Sequence, residues 1–299
     1  MRLLITGSNG LLGQKIVRIC QKRGADFLAT SFGKNRNQDC PEGNYVELDI
    51  TNQANIEEVF GAYQPTHIIH TAALTNVDYC EQHPEECKEV NVNATQKLWE
   101  AAQKIDAHFQ LLSTDFVFDG LTGNYKETDA PSPVSIYGQS KVDAEMVLLQ
   151  SKNTNWSIAR TIIVYGTANN LSRTNIVLWS IDALTKGDPM KIINDQFRMP
   201  TWADDLAWGC LEICNRNKQG IFHLCGPELM AVNEIVFRIA TYLGVSTTNV
   251  EIISSSTLNQ PAKRPPHTGF DLTKSIQELG YSPQTLEATL DLLITQNKE

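Results

Sequence analysis

Along roughly the first 165 residues, short apolar runs alternate with longer stretches whose apolar positions recur every three or four residues. The runs predict buried strands at Arg2–Thr6, Asp26–Ser31, Tyr45–Leu48, His67–His70, Gln110–Phe118 and Trp156–Tyr165. The periodic stretches predict helices at Leu11–Lys22, Gln53–Tyr63, Glu85–Ile105 and Ser140–Leu149. Leu12, Ile16 and Ile19 mark the inner face of the first helix, and Gly24 stops it. Such alternation requires crossover connections, hence a parallel sheet covered on both faces. The expected fold is α/β, a Rossmann-type doubly wound sheet.

Beyond residue 165 the alternation weakens. Helices are expected at Ile176–Leu184, Leu206–Asn215 and Val232–Leu243, and a strand at Ile221–Leu224. We read 1–165 as the dinucleotide-binding domain and 166–299 as a smaller mixed α/β substrate-binding portion that weaves back into the first. The loop Leu121–Ser135 follows the fifth strand, at the carboxyl end where doubly wound folds bind ligands.

Composition narrows the classes. Of 299 residues, 41% are hydrophobic and 20% charged, enough apolar material for a sizeable core. The 25 basic and 34 acidic residues give a net charge of −9, which argues against nucleic acid or anionic lipid as partners. The N-terminus has no signal-peptide pattern, and no apolar run reaches the ~20 residues of a membrane span. A cytoplasmic protein is expected. Cys20, Cys40, Cys80, Cys87, Cys210, Cys214 and Cys225 lack zinc-type spacing and read as reduced apolar residues.

Candidate chemistry starts at Thr6–Gly13. Gly7, Gly10 and Gly13 lie between the first strand and the first helix, with Asn9 and Leu11 beside them. Gly7 permits the tight turn, Gly10 a close approach of backbone to pyrophosphate, and Gly13 close helix–strand packing. The helix N-terminus then offers free N–H groups to a dinucleotide. At the end of the second strand, where an acid would select NAD(H), stand Thr30 and Ser31, followed by Lys34 and Arg36. Two hydroxyls and two cations suit a 2′-phosphate, so NADP(H) is preferred and NAD(H) admissible. Tyr137 and Lys141 are spaced i,i+4 on a helix. A phenol next to an ammonium can deliver a proton to a carbonyl while hydride arrives at carbon. Thr114, at the end of the fifth strand, is the hydroxyl expected to orient the substrate.

These segments resemble an extended short-chain dehydrogenase/reductase over essentially the whole chain, and within that group the dTDP-4-dehydrorhamnose reductases. The resemblance is carried by Thr6–Gly13, Ala72–Asp78, Leu112–Gly120, Tyr137–Lys141, Ile193–Gln196 with Pro200-Thr201, and Arg264-Pro265. It implies reduction of the C4 keto group of a nucleotide-linked 4-keto-6-deoxy sugar, with dTDP-L-rhamnose as the product. Tyr137 would give the proton, Thr114 would hold the carbonyl or a sugar hydroxyl, and Asp115 would contact the sugar. Asp49 and Ile50 would flank adenine, and Ala72 and Ala73 would line the cofactor. Asn175 would contact the substrate diphosphate, and Arg264, on a stiff basic loop, could clamp it. A homodimer is left open.

The chain departs from that family in places. Ile163 stands where many relatives have Trp, and Phe197-Arg198-Met199 where Tyr-Gly is usual before Pro-Thr, so Arg198 and Met199 could reshape the pocket. Gln14-Lys15 replaces a metal-linked carboxylate, so no metal is expected. Three alternatives are kept. A dehydratase would need an acid where Phe116 stands. An epimerase/reductase would need a Cys near Thr114. The third is a non-catalytic regulatory subunit like the β subunit of methionine adenosyltransferase. Among other residues, Asp204 and Asp205 read as a helix cap, His70 as structural, and His223 as a satisfied core histidine. Trp99, Trp179 and Trp208 read as helical core.

Overall fold

The computed structural model describes residues 1–171 and 174–296. The first half runs β1 (Arg2–Thr6), α1 (Leu11–Lys22), β2 (Asp26–Ser31), β3 (Tyr45–Glu47), α2 (Gln53–Tyr63) and β4 (His67–His70). It continues with α3 (Val77–Gln82), α4 (Pro84–Lys88), α5 (Ala94–Lys104), β5 (His108–Thr114), α6 (Ile136–Leu149), β6 (Trp156–Thr161) and β7 (Val164–Tyr165). The second half runs α7 (Ile176–Lys186), β8 (Met190–Ile193), β9 (Phe197–Arg198), β10 (Thr201–Trp202), α8 (Ala203–Asn215) and β11 (Gly220–His223). The remaining elements are β12 (Met230–Ala231), α9 (Val232–Leu243), β13 (Val250–Ile253), α10 (Thr273–Leu279) and α11 (Leu286–Gln296).

Seven strands form one sheet in the order β11-β6-β5-β4-β1-β2-β3. Every pairing in it is parallel. The order reverses between β1 and β4, and the crevice outside their carboxyl ends is where such sheets bind ligands. The sheet is Rossmann-type, as expected. Its last strand, β11, comes from the second half of the chain. One face packs Leu3 and Ile5 with α1 and α8; the other packs Leu4, Ile68, Phe109 and Leu111 with α2, α5 and α6. Strands buried on both faces follow from helices covering both sides, and the polar residues within them, such as His70, Gln110 and Arg160, are buried too. A third core, around Tyr165, Trp202, Ile235 and Leu290, unites α7, α9 and α11.

Several elements differ from the sequence reading. The helix expected at Glu85–Ile105 is interrupted by a π-helical turn at Glu89–Asn93. The strand expected at Gln110–Phe118 is β5, and it yields to a 3₁₀ turn at Asp115–Val117. The strand expected at Trp156–Tyr165 is split at Ile163, whose φ of +34° is rare for a β-branched residue. Helix α6 begins at Ile136, so Tyr137 lies in its first turn. Asp204 and Asp205 lie in the first turn of α8, whose N-cap is Trp202. Asp204 pairs with Lys15 at 3.1 Å, and Asp205 accepts from the Gln284 amide N–H at 2.8 Å. Trp99 is buried, but Trp179 is 36% exposed.

Candidate active site

The glycine turn is built as the spacing predicts. Gly7 sits at φ +72°, and a Cβ there would lie 2.6 Å from the Ala72 nitrogen. A Cβ on Gly13 would lie 2.5 Å from the Gly7 carbonyl oxygen. Gly10 is the N-cap of α1 and supplies no side-chain cap, so the first N–H groups of the helix remain for a ligand. Asn9 reaches from the turn to the loop after β2. Its amide donates to the Lys34 carbonyl at 3.0 Å and accepts from the Arg36 N–H at 2.8 Å. The loop after β2 is thereby fastened to the turn, with Lys34 and Arg36 exposed beside it.

One expectation on β2 is corrected. Thr30 is fully buried and donates to the Ile5 carbonyl at 3.1 Å, so its hydroxyl does not face a 2′-phosphate. Pairing of Thr6 with Thr30 across β1 and β2 places it inside the sheet. Ser31 is half-buried at the strand end. Asp49 closes a local turn by accepting from Thr51 N and Oγ1 at 2.9 and 2.7 Å. Ile50 packs against the α2–α5 core.

A cavity of about 720 Å³ opens at the carboxyl ends of the strands. Gly10, Leu11, Gly13 and Ala73 line one side; Thr114, Asp115, Tyr137 and Lys141 line another; Asn175 lies on its edge. The structure thus gathers the helix terminus and the Thr/Tyr/Lys set around one space. It does not bring Arg264 there. Arg264 Nη2 pairs with Asp78 at 2.6 Å and lines a separate groove of about 400 Å³ with Leu258 and Lys263. The Asn175 amide is engaged too: it caps α7 at Leu178 N (3.1 Å) and donates to the Gly166 carbonyl (2.8 Å).

Helix α6 presents the phenol and the ammonium. Ser135 caps it by accepting from Gly138 N at 3.2 Å, and a Cβ on Gly138 would lie 2.3 Å from the Phe116 carbonyl oxygen. Close seating of the helix on the 3₁₀ turn holds Tyr137 edge-on to Phe116, ring centroids 5.6 Å apart. Tyr137 is 7% exposed and Lys141 3%. Burial pushes the Lys141 ammonium down to about 8, with Glu145 pulling the other way. Glu145 is itself held in a fully buried fork by Arg160, at 2.9 and 2.6 Å.

Sequence reasoning missed a buried polar chain under these groups. Asn91, in the π-helical turn, donates to the Leu74 carbonyl and to Ser140 Oγ, both at 3.0 Å, and accepts from Leu74 N at 2.8 Å. It couples the cavity loop to the helix of Tyr137. A buried Asn inside a helical run was the available signal, since Asn there competes with the ladder unless tertiary partners claim it. His70 is structural as expected: its ring meets Thr6 Oγ1 at 2.7 Å and Thr95 Oγ1 at 3.3 Å. His223 is buried but not satisfied. Among the described residues neither ring nitrogen has a hydrogen-bond partner in good geometry, the ring lying by the backbone of Tyr125 and Asp271 and stacking on Phe270 at 3.9 Å.

Arg198 differs from expectation, and Asp115, which lines the cavity, is also bonded within the protein. Asp115 accepts from Thr114 Oγ1 at 3.0 Å and Thr268 Oγ1 at 2.5 Å, and faces Arg198 Nε at 3.5 Å. Its oxygens are occupied by protein. Burial pushes its carboxyl up, and Arg198 opposes that. Arg198 does not line the cavity; it lies behind Asp115, 2% exposed. Ile163 does line it. Among the described residues, no group of three or more His, Cys, Asp or Glu is gathered to hold a metal, and no helix is long and apolar enough to cross a membrane.

The family profile described as RmlD substrate binding domain matches residues 1–298. A probable low-salt glycan biosynthesis reductase of Haloferax volcanii is 32% identical over 98% of this chain and 97% of its own length. A dTDP-4-dehydrorhamnose reductase of Aggregatibacter actinomycetemcomitans is 31% identical, covering 97% of each chain. Methionine adenosyltransferase 2 subunit beta of Bos taurus is 26% identical over 95% of this chain and 84% of its own. A crystal structure of the dTDP-4-dehydrorhamnose reductase of Clostridium acetobutylicum superposes with a TM-score of 0.87 at 27% identity, covering 100% of both chains. That of Bacillus anthracis, in complex with NADP, gives 0.85 at 26% identity over 99% of both.

Proposed function

The chain belongs to the RmlD substrate-binding-domain family of extended short-chain dehydrogenases/reductases, and from that premise we propose that it reduces the C4 keto group of a nucleotide-linked 4-keto-6-deoxy sugar. It is an NAD(P)-dependent oxidoreductase of the sugar-nucleotide reductase kind. Our proposed substrate is dTDP-4-dehydrorhamnose, and the proposed product dTDP-L-rhamnose. The observation carrying this reading is the single cavity with the uncapped α1 terminus on one side and Thr114, Tyr137 and Lys141 on another.

The residues fit NADP(H). Gly7 and Gly13 are positions that a Cβ would block, and Lys34 and Arg36 stand exposed beside the turn. When bound, the nicotinamide supplies the hydride. Tyr137 donates the proton at the carbonyl oxygen. Charged Lys141 stabilises the phenolate that remains and holds a ribose hydroxyl. Thr114 gives its one proton to Asp115 and accepts from Phe116 N–H at 3.3 Å, which leaves one lone pair for a ligand. It therefore suits acceptance from a sugar hydroxyl; donation to the carbonyl would break the bond to Asp115. Phe116 offers no acid for elimination, which disfavours a dehydratase.

The test is NADPH oxidation across a panel of 4-keto-6-deoxy sugars on dTDP, UDP and GDP. We expect turnover with the dTDP sugar and a loss of about 10²–10⁴-fold in kcat for Tyr137→Phe. Silence across the panel would sink the reductase reading. It would favour the non-catalytic NADP-binding regulatory role suggested by the similarity to the methionine adenosyltransferase subunit.

A further inference from the structure

We propose that Arg198 is a positioning residue for this reaction: it fastens the Pro261–Pro266 loop to Asp115, and Asp115 in turn fixes the direction of the Thr114 hydroxyl. The inference rests on the reductase reading for its consequence and on geometry for its substance.

Arg198, on β9, spends its whole donor fork. Nη1 donates to the carbonyls of Phe197 (2.7 Å) and Pro266 (3.2 Å). Nη2 donates to the Pro265 carbonyl (2.6 Å) and to Gln196 Oε1 (3.3 Å), and Nε faces Asp115 Oδ2 at 3.5 Å. The Pro266 carbonyl also accepts from Phe197 N–H at 2.8 Å, and Ala262 N and Arg264 tie the front of the loop to Asp78, so the guanidinium is the anchor that joins the Pro265–Pro266 end to Asp115. Gly120 lies beneath it, where a Cβ would be 2.8 Å from Pro265 Cβ and from Pro266 N. Asp115 is 2% exposed and sits between this anchor and the site. Its Oδ2 takes Arg198 and Thr268; its Oδ1 takes the proton of Thr114. An ionised Asp115 holds Thr114 as an acceptor toward the cavity. A protonated one weakens that hold. Besides Arg198, the titratable group facing this carboxylate is Cys225, after β11, and Arg264 bears on it through Arg198. A loop on the rim and a hydroxyl in the site are thus joined through two buried charges.

The experiment compares wild type, Arg198→Met and Arg198→Lys by the side-chain ¹³C resonance of Asp115, assigned with Asp115→Asn, and by trypsin cleavage after the exposed Lys263. In Arg198→Met the protonation midpoint of Asp115 is expected to rise by about one pH unit or more. Cleavage is expected to accelerate. In turnover, kcat is expected to fall about 10- to 100-fold, with its acid limb moved to higher pH. NADPH affinity, read by fluorescence, stays within about threefold. Arg198→Lys keeps the charge but not the fork, so it restores the Asp115 midpoint and leaves the loop cleavable. An unmoved Asp115 midpoint in Arg198→Met overturns the proposal, as does a restored loop in Arg198→Lys. Should the wild type reduce no keto sugar, the reductase reading fails, while the resonance and the cleavage still decide Arg198.

Discussion

Glu145 and Arg160 provide a test in which sign discriminates better than size. Their pair is 1% exposed on both sides, and Glu145, ahead of Cys87, is the main group that raises the buried Lys141 against burial. Lys141, held at about 8, is charged below that pH and neutral above it. A basic limb in kcat/KM for NADPH is therefore expected near pH 8. Replacing Glu145 with Gln removes the supporting charge and leaves Arg160 repelling the ammonium. At i,i+4 the groups are about 6 Å apart, and with an effective dielectric of about 20 the lost attraction is about 3 kcal/mol. At about 1.4 kcal/mol per pH unit, the limb should fall by about one to two units. Arg160→Met does the reverse: Glu145 turns its undivided charge to Lys141, and the limb should rise. Each variant breaks a buried ion pair and loses about 3–5 kcal/mol of stability, so loss of folding alone predicts the same effect for both. The assay is the pH profile of kcat/KM at low temperature, where both variants remain folded by circular dichroism. Limbs that move together, or not at all, refute the assignment of Lys141.

Three further outcomes follow from other parts of the structure. Lys34→Ala with Arg36→Ala should weaken NADPH binding by about 10-fold or more and leave NADH nearly unchanged, as read by fluorescence titration. Equal losses for both coenzymes would remove these cations from the 2′-phosphate. Gly13→Ala places a methyl 2.5 Å from the Gly7 carbonyl oxygen; it should cost about 1–3 kcal/mol in urea unfolding and abolish tight NADPH binding, and a neutral result would contradict the packing. Burial holds His70 and His223 down to about 3 and His108 to about 4. Below about pH 6.5 the unfolded chain takes these protons while the fold refuses them, so their stability contribution is present above 6.5 and lost as pH falls. Asp115 and Asp205, pushed up by burial, pull the other way. The slope of stability between pH 6 and 4 should therefore flatten by about 1.4 kcal/mol per unit in His223→Phe, and an unchanged slope would show that this histidine protonates without unfolding.

What was legible in the chain was what depends on neighbours in sequence. The strand–glycine–helix order at Thr6–Gly13 and the i,i+4 spacing of Tyr137 and Lys141 are local, and both stand as read. Thr30 was misplaced because its depth is fixed by pairing with Thr6 across two strands, which no local pattern records. Arg198 looked like a pocket residue because its acceptors, the carbonyls of Pro265 and Pro266, lie almost seventy positions away. The π-helical turn escaped because helical periodicity continues through it while the hydrogen bonds of Asn91 change register. Pairings of two residues, such as β7 with β10 and β9 with β12, are too short to leave an alternation. Ile163 gave no warning at all: an isoleucine at φ +34° is imposed by its surroundings, against its own preference.

The origin of β11 bears on how the protein is made. β6 ends at Thr161, and the strand that covers its outer edge ends at His223. A ribosome adding about 5–20 residues per second leaves that edge bare for several seconds after the other six strands have emerged. Unpaired N–H and C=O groups on an open strand edge invite a second chain to dock there. Slow synonymous codons between these two strands should thus reduce yield through aggregation during synthesis, without altering the enzyme that completes its fold.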